Sequence, residues 1–385
     1  MTEQHIMFLI LAGAAAIPFL ARRLRIPSSA LEILFGILLF RVLLSHRPQW
    51  LDLLKQIGLI YLMFIAGMEL DLRQVMESRR SLWYVLIPLL SLALTPLPFV
   101  IAGYPFYLGV AVAMVSAGIV IPLLKEVGMM QTSIGRHIIG VALTGELMSI
   151  LVLTLIDAYH LHGLSLSGAL QIFKLVLLLG AGILAIKILY LAAWWNPQRV
   201  EKVMESEDPV EEGIRVVISV AFAGGLFAAA AGVEPILGSF MAGVVFSYVF
   251  KSTGRFEEKI NAVGFGFFIP FFFIGVGSGF DLGLLESPGK IFFSLALTGA
   301  IFLSNLFPLL LARYMKFHLR EALGMSLVLS APLSLLVVAG ALGEKMGLIT
   351  ADMNGALVLS AILSSILFPS LFRPLGKKLA AAPED

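Results

Sequence analysis

Phe64-Ile-Ala-Gly-Met-Glu-Leu-Asp-Leu72 and Ile274-Gly-Val-Gly-Ser-Gly-Phe-Asp-Leu282 read alike: an apolar run, a glycine, then Asp-Leu as the run ends. Two more pairs follow the same order along the chain. Leu31-Glu-Ile-Leu-Phe-Gly36 lies over Gly238-Ser-Phe-Met-Ala-Gly243, and Val115-Ser-Ala-Gly-Ile-Val-Ile-Pro122 over Leu329-Ser-Ala-Pro-Leu-Ser-Leu335. The offsets are 210, 207 and 214 residues. Chance produces any one such apolar match readily, so the agreement among the offsets carries the inference. The chain is read as two copies of one unit.

The surroundings of these stretches fix the solvent. Of 385 residues, 59% are hydrophobic and 14% charged, against roughly 25% charged in a soluble chain. Mean hydropathy is +0.96, and the apolar runs recur from end to end, which excludes a soluble protein and a single-pass anchor. Each bilayer crossing takes about 20 apolar residues. Thirteen such segments are expected, near 5–21, 29–44, 53–70, 82–101, 104–124, 135–158, 168–194, 213–232, 234–250, 261–281, 289–315, 321–343 and 352–372. The runs are too long, and alternate too little, for barrel strands. The fold class is therefore an all-α polytopic membrane protein. The first run is read as a retained helix, because its basic residues, Arg22, Arg23 and Arg25, follow it.

Numbering the loops alternately puts twenty Lys and Arg on one side and five on the other. The positive-inside rule then places the C-terminus in the cytoplasm and the N-terminus outside, in a cell membrane crossed many times. The matched segments are third with tenth, second with ninth and fifth with twelfth. Each pair is seven crossings apart, an odd number, so the copies are inverted. The expected organisation is one membrane domain: a first repeat over 5–158, a linking helix over 168–194, a cytoplasmic linker over 196–212 and a second repeat over 213–372. No soluble regulatory domain is expected. Inverted repeats belong to transporters, whose sites lie near the midplane at interrupted helices.

Two segments carry helix breakers at matching positions. The fifth holds Ser116, Gly118 and Pro122; the twelfth holds Ser330 and Pro332, in Ser330-Ala-Pro-Leu-Ser334. Proline removes a backbone donor and frees a carbonyl, and freed carbonyls lining a cavity can hold a cation. The bland alternative is a kink satisfied by a neighbouring helix. Between them, Glu146 falls near the middle of the sixth segment, in Gly140-Val-Ala-Leu-Thr-Gly-Glu-Leu-Met-Ser-Ile-Leu151. An ionised carboxylate at that depth must be paired, protonated or facing water. It is either a site shared by a proton and a monovalent cation or a protonated group bonded across helices. Thr144 and Ser149 are further candidate oxygen donors. Glu32 and Lys187 also fall within spans and are possible accessory groups, with structural pairing as the alternative. The aromatic run Phe265–Phe273 reads as a lipid or packing surface.

Other functions find no support. No Walker motif or enzyme constellation is present. There is no cysteine, and the six histidines are scattered, so no resident cofactor is expected, only transported Na⁺ or K⁺ and H⁺. A net charge of +2 gives no footprint for nucleic acid.

Four stretches resemble the cation:proton antiporter-2 family, with its Kef-type and NapA-type sodium/proton or potassium/proton exchangers. They are Ile57–Leu72, Ile121-Pro-Leu-Leu-Lys-Glu-Val-Gly-Met129, Gly232-Val-Glu-Pro-Ile-Leu-Gly-Ser-Phe-Met-Ala-Gly243 and Gly264-Phe-Gly-Phe-Phe-Ile-Pro-Phe-Phe-Phe-Ile-Gly-Val-Gly277. The resemblance implies thirteen helices, a homodimer, elevator-type alternating access, a scaffold of helices one to three and eight to ten, and a moving core of four to six and eleven to thirteen. It implies that the fifth and twelfth helices are the unwound, crossing pair. Family members carry an acidic pair, or an amide beside an acid, in the sixth helix, where this chain has Gly145 and Glu146. Many carry a lysine in the eleventh helix, where the match is Asn305. One carboxylate trading one proton for one cation is electroneutral. The expected function is a secondary Na⁺/H⁺ or K⁺/H⁺ antiporter, with Glu146 as the shared carrier, Ser116, Thr144 and Ser330 as oxygen contributors and Asn305 as a polar neighbour. The alternatives are an organic-ion transporter or a non-transporting sensor on the same scaffold.

Overall fold

A computed structural model describes residues 3–44, 47–69, 81–163, 212–249, 254–283 and 287–381, with Ser165 and scattered positions between 170 and 188. Regular structure among them is helical throughout. In chain order the helices are α1 (Glu3–Leu24), α2 (Ser28–Ile37), α3 (Trp50–Glu69), α4 (Ser81–Leu94), α5 (Pro96–Ile101), α6 (Phe106–Val112), α7 (Val120–Val127) and α8 (Ser133–His162). They continue with α9 (Glu212–Ala230), α10 (Pro235–Val249), α11 (Gly254–Val263), α12 (Ile269–Ser278), α13 (Pro288–Ser304), α14 (Phe307–Leu310), α15 (Ala312–Met315), α16 (Leu319–Leu329), α17 (Leu333–Lys345) and α18 (Ala351–Ala380). Two wider π-helical turns, Leu38–Leu43 and Gly264–Phe268, extend α2 and join α11 to α12.

Eight helical stretches among the described residues are long and apolar enough to cross a bilayer, and nine if the bent pair α16–α17 counts as one. The chain is thus a polytopic all-α membrane protein. Several expected spans are not single helices. The segment at 29–44 is ten α-helical residues and a π-helical turn. That at 104–124 is interrupted between α6 and α7, while that at 234–250 is one helix but of only 15 residues. Much of the linking helix expected at 168–194, with Lys187, and most of the linker at 196–212 fall outside the described residues. The two shortest expected turns hold, each on a left-handed glycine: Gly103 at φ +82° and Gly232 at φ +77°. No L side chain adopts that conformation cheaply, so glycine is what lets the chain reverse there.

The chain divides into two compact units. The first comprises residues 1–20, 31–72 and 150–279; the second comprises 21–30, 73–149 and 280–385. In the first, α3 packs on α10 and α12, and α9 on α10. Lipid is as apolar as leucine, so helices associate here through close contact rather than the hydrophobic effect. Glycines permit that contact. A Cβ on Gly67 would run into the Phe240 carbonyl oxygen, and one on Gly243 into that of Phe64. Likewise Gly36 meets the Ile274 carbonyl oxygen and Gly277 that of Ile33. These contacts exchange under the sequence offsets, since Gly67 and Phe64 map onto Gly277 and Ile274 by 210, and Gly36 and Ile33 onto Gly243 and Phe240 by 207. Of the aromatic run, Phe265 and Phe267 are exposed while Phe271, Phe272 and Phe273 are buried, so it supplies both an outer surface and packing.

In the second unit the long α18 packs against α13, α16, α17 and α7. Ser360 Oγ lies 2.8 Å from the Ser294 carbonyl oxygen, joining α18 to α13. Ion pairs hold both ends of α18: Lys290 Nζ to Asp352 Oδ1 at 2.7 Å, and the Arg373 fork to Glu126 of α7 at 2.9 and 3.2 Å.

Candidate functional site

Both interrupted helices belong to the second unit. α6 ends at Val112, the backbone runs irregularly through 113–119, and α7 begins at Val120. α16 ends at Leu329, and α17 begins at Leu333 after a 45° bend at Ser330-Ala331-Pro332. Pro332 caps α17, as its missing donor and fixed φ predict. Pro122 behaves differently from expectation. It sits inside the first turn of α7, where its missing N–H costs nothing, and the break precedes it, around Gly118.

A break in a buried segment leaves backbone groups needing partners. Around 113–119 side chains provide them. Ser91 Oγ donates to the Ala113 carbonyl at 3.3 Å. Ser304 Oγ lies 3.2 Å from the Val112 carbonyl and 2.8 Å from that of Ile301, sharing one proton between them. The Val115 N–H donates to Ser149 Oγ at 3.2 Å, and that hydroxyl donates onward to the Gly145 carbonyl at 2.7 Å. The Ala117 N–H donates to Glu146 Oε2 at 3.2 Å, and Ser116 Oγ donates to Glu146 Oε1 at 3.0 Å. Each carboxylate oxygen therefore accepts one bond from the break. Ser116 Oγ is also 3.0 Å from Ser334 Oγ, in the first turn of α17. Three elements converge: α8 through Glu146, the α6–α7 break through Ser116 and Ala117, and the start of α17 through Ser334.

Glu146 is 1% exposed and Ser116 1%, whereas Ser334 is half-buried and Gly118 exposed. The two carboxylate oxygens and the Ser116 hydroxyl make an all-oxygen donor set, the chemistry suited to a hard cation. The carboxylate can also take a proton.

The other expected site residues do not join it. Ser330 is buried, but its hydroxyl turns back to the Ser326 carbonyl at 2.6 Å. Asn305 ends α13, and its Nδ2 donates to the Ile301 carbonyl at 2.9 Å and to Ser304 Oγ at 3.3 Å. Thr144 is buried with its Oγ1 unpartnered; two residues from Glu146 on a helix, it points along a different face. Glu32 is buried in α2, in the first unit. Among the described residues no group of three or more His, Asp and Glu could hold a metal ion.

Sequence reading passed over Ser334 in favour of Ser330. The usable signal was position: Ser334 stands two residues after the helix-breaking Pro332, where the new helix has yet to occupy its side chain. It passed over Ser91 and Ser304 too, although they are 213 residues apart, close to the 214 that relates the two breaks.

The profile of the sodium/hydrogen exchanger transmembrane family matches residues 6–378. The chain is 28% identical over 400 residues to YjbQ of Bacillus subtilis (strain 168), covering 97% of this chain and 63% of that longer protein. It is 25% identical over 390 residues to a Na(+)/H(+) antiporter of Enterococcus hirae, covering 98% of each. It is also 25% identical to the Na(+)/H(+)-K(+) antiporter GerN of Bacillus cereus, covering 95% of this chain and 94% of that one. In fold it resembles the sodium proton antiporter MjNhaP1 of Methanocaldococcus jannaschii, with a TM-score of 0.69 at 17% identity over 98% of this chain and 99% of that one.

Proposed function

The chain belongs to the sodium/hydrogen exchanger family, and we propose that it is a secondary active antiporter that exchanges one proton for one monovalent cation, Na⁺ or K⁺, at Glu146. The observation that carries this is the buried Glu146 carboxylate held by Ser116 and Ala117 at an interrupted helix. Coupling follows from competition. An ionised Glu146 offers charge and oxygen to a cation; a protonated one offers no charge and sets a proton where the cation would bind. Each occupant thus excludes the other, and whichever face supplies the higher concentration sets the direction. Ser116 adds a neutral oxygen that replaces part of the cation's hydration shell.

With one carboxylate at the site, both occupied forms carry the same charge, so exchange is electroneutral. The relatives' names, which include Na(+)/H(+) and Na(+)/H(+)-K(+) antiporters, agree with this cation class.

The thirteen-helix, inverted-repeat architecture is part of this reading. Support comes from the exchange of the four glycine contacts under the sequence offsets and from the paired breaks. The division into units supports an elevator-type mechanism, because the expected scaffold segments, apart from residues 21–30 and 280–281, fall in the first and the expected core segments, apart from residues 150–158, in the second. The antiporter-2 branch rests on the four resembling stretches, while the likeness to MjNhaP1 leans toward the NhaP side of the superfamily. The charge bias of the loops supports an outside N-terminus, and the homodimer is carried by the family resemblance.

The test is proton movement in proteoliposomes holding a preset pH gradient, with Na⁺, K⁺ and Li⁺ added in turn. Collapse of the gradient by one cation, absent in Glu146→Gln, is expected. Cation-driven proton flux surviving in Glu146→Gln overturns the assignment. Silence toward every cation from folded protein favours an organic-ion substrate or a sensor.

A further inference from the structure

Resting on Glu146 as the exchanged carboxylate, we infer that Ser334 and Ser116 form a two-hydroxyl relay that conducts the proton between the accessible edge at Gly118 and Glu146. The distances are those of a continuous chain: 3.0 Å from Ser334 Oγ to Ser116 Oγ and 3.0 Å from Ser116 Oγ to Glu146 Oε1. A hydroxyl has one proton to give. Ser116 gives its proton to the ionised Glu146 and therefore accepts from Ser334, so the chain has a direction. Protonation of Glu146 reverses that direction.

These two hydroxyls differ from their neighbours. Ser149, Ser330, Ser360 and Ser304 each turn their hydroxyl to a carbonyl three or four residues back in the chain, those of Gly145, Ser326, Ala356 and Ile301, although Ser360 and Ser304 share the proton with a second carbonyl. Such back-bonding is the ordinary fate of a helical serine in an apolar setting. Ser116 escapes it because no helical turn precedes it in the break, and Ser334 because Pro332 starts a new helix two residues earlier. The pair is left to bond to one another.

Exposure is graded along the chain, from exposed Gly118 to half-buried Ser334 to buried Ser116 and Glu146. Gly118 is what uncovers the pair: a Cβ there would stand 3.5 Å from Ser334 Oγ and 3.8 Å from Ser116 Oγ. In the inward step a hydronium ion at this edge gives a proton to Ser334 Oγ. Ser334 passes its own proton to Ser116 Oγ, and Ser116 passes its own to Glu146 Oε1. Three O–H bonds form as three break, the hydronium leaves as water, and Glu146 becomes neutral. Release runs the same steps backward. Ser334 acts through Ser116 and is thus a positioning residue for the proton.

The experiment measures maximal rate and half-saturating cation concentration in proteoliposomes for wild type, Ser334→Ala, Ser334→Thr and Gly118→Ala, in H₂O and D₂O. Ser334→Ala is expected to lower the maximal rate about fivefold, the worth of one net hydrogen bond. The half-saturating concentration stays unchanged, the slowing in D₂O exceeds that of wild type, and Ser334→Thr restores the rate. Gly118→Ala removes neither hydroxyl and fits in ordinary contact beside them, and it is expected to lower the maximal rate with the same unchanged half-saturation. An unchanged rate in both Ser334→Ala and Gly118→Ala overturns the relay. So does a raised half-saturating concentration at unchanged maximal rate, which makes Ser334 a cation ligand instead. If wild type exchanges and Glu146→Gln does not, these failures touch the relay alone; exchange by Glu146→Gln removes the reading beneath it.

Discussion

Replacing Gly243 with alanine puts a methyl group where α3 and α10 leave no room. The new Cβ would stand 2.9 Å from the Met68 nitrogen and nearer still to the Phe64 carbonyl oxygen. Unstrained heavy-atom contact is about 3.5 Å, so relieving the Met68 contact alone parts the helices by roughly 0.6 Å and the nearer Phe64 oxygen demands more, and a gap of at least that size forfeits about a quarter or more of each neighbouring dispersion contact. Backbone atoms cannot swing aside as a side chain would, and overpacking of this kind costs about 1–3 kcal/mol. Gly67→Ala strikes the same interface from the other helix, against the Phe240 carbonyl oxygen. Once one methyl has separated the helices, the second enters the space already opened. The double variant is therefore expected to lose less than the sum, with a coupling of about 1 kcal/mol. Gly36→Ala acts on α2 and α12 instead, and combined with Gly243→Ala it is expected to add more nearly in full. Denaturant unfolding of the purified protein in detergent, followed by circular dichroism, reads all of these. A Gly243→Ala protein as stable as wild type would refute the close approach. Strict additivity within the Gly67–Gly243 pair would refute their placement at one interface.

Two further outcomes follow from the site. Ser149→Ala deprives the Val115 N–H of its acceptor within a buried break, so stability is expected to fall by about 1–3 kcal/mol, while Glu146 keeps both its bonds; unfolding midpoints unchanged from wild type would show that the hydroxyl does not hold the break. If proton and cation share Glu146 as proposed, the half-saturating cation concentration is expected to rise as pH falls, approaching about tenfold per pH unit where the carboxyl is mostly protonated. The maximal rate at saturating cation changes far less over the same range, and initial rates over a pH series check this. A half-saturating concentration independent of pH would mean that the two ions do not share the carboxylate.

Legibility differed between the levels of structure. The apolar runs and Glu146 stood out because a bilayer punishes polar groups so heavily that any exception is conspicuous. The two breaks were visible through Pro332 and Gly118 for the same reason. Pro122 misled, since a proline signals a missing donor but not whether it lies before a helix or in its first turn. Ser330 was preferred to Ser334 by analogy with Ser116 across the repeat. The choice between them turned on which hydroxyl its own helix had already engaged, and a residue list does not carry that.

The sequence by itself determined the solvent of this protein, its helical class and the one carboxylate at the depth of the breaks. These are properties of composition and spacing, and each residue contributes to them independently of its neighbours in space. Only the tertiary structure decided which oxygens meet Glu146. Hydroxyls at Ser116, Thr144, Ser149, Ser330 and Ser334 are chemically alike, and their roles diverge because a helical turn claims some and a break releases others. A hydrogen bond needs its donor and acceptor within about 3 Å, and residues 30 and 218 positions apart reach that separation only once the breaks have folded against α8 and α17.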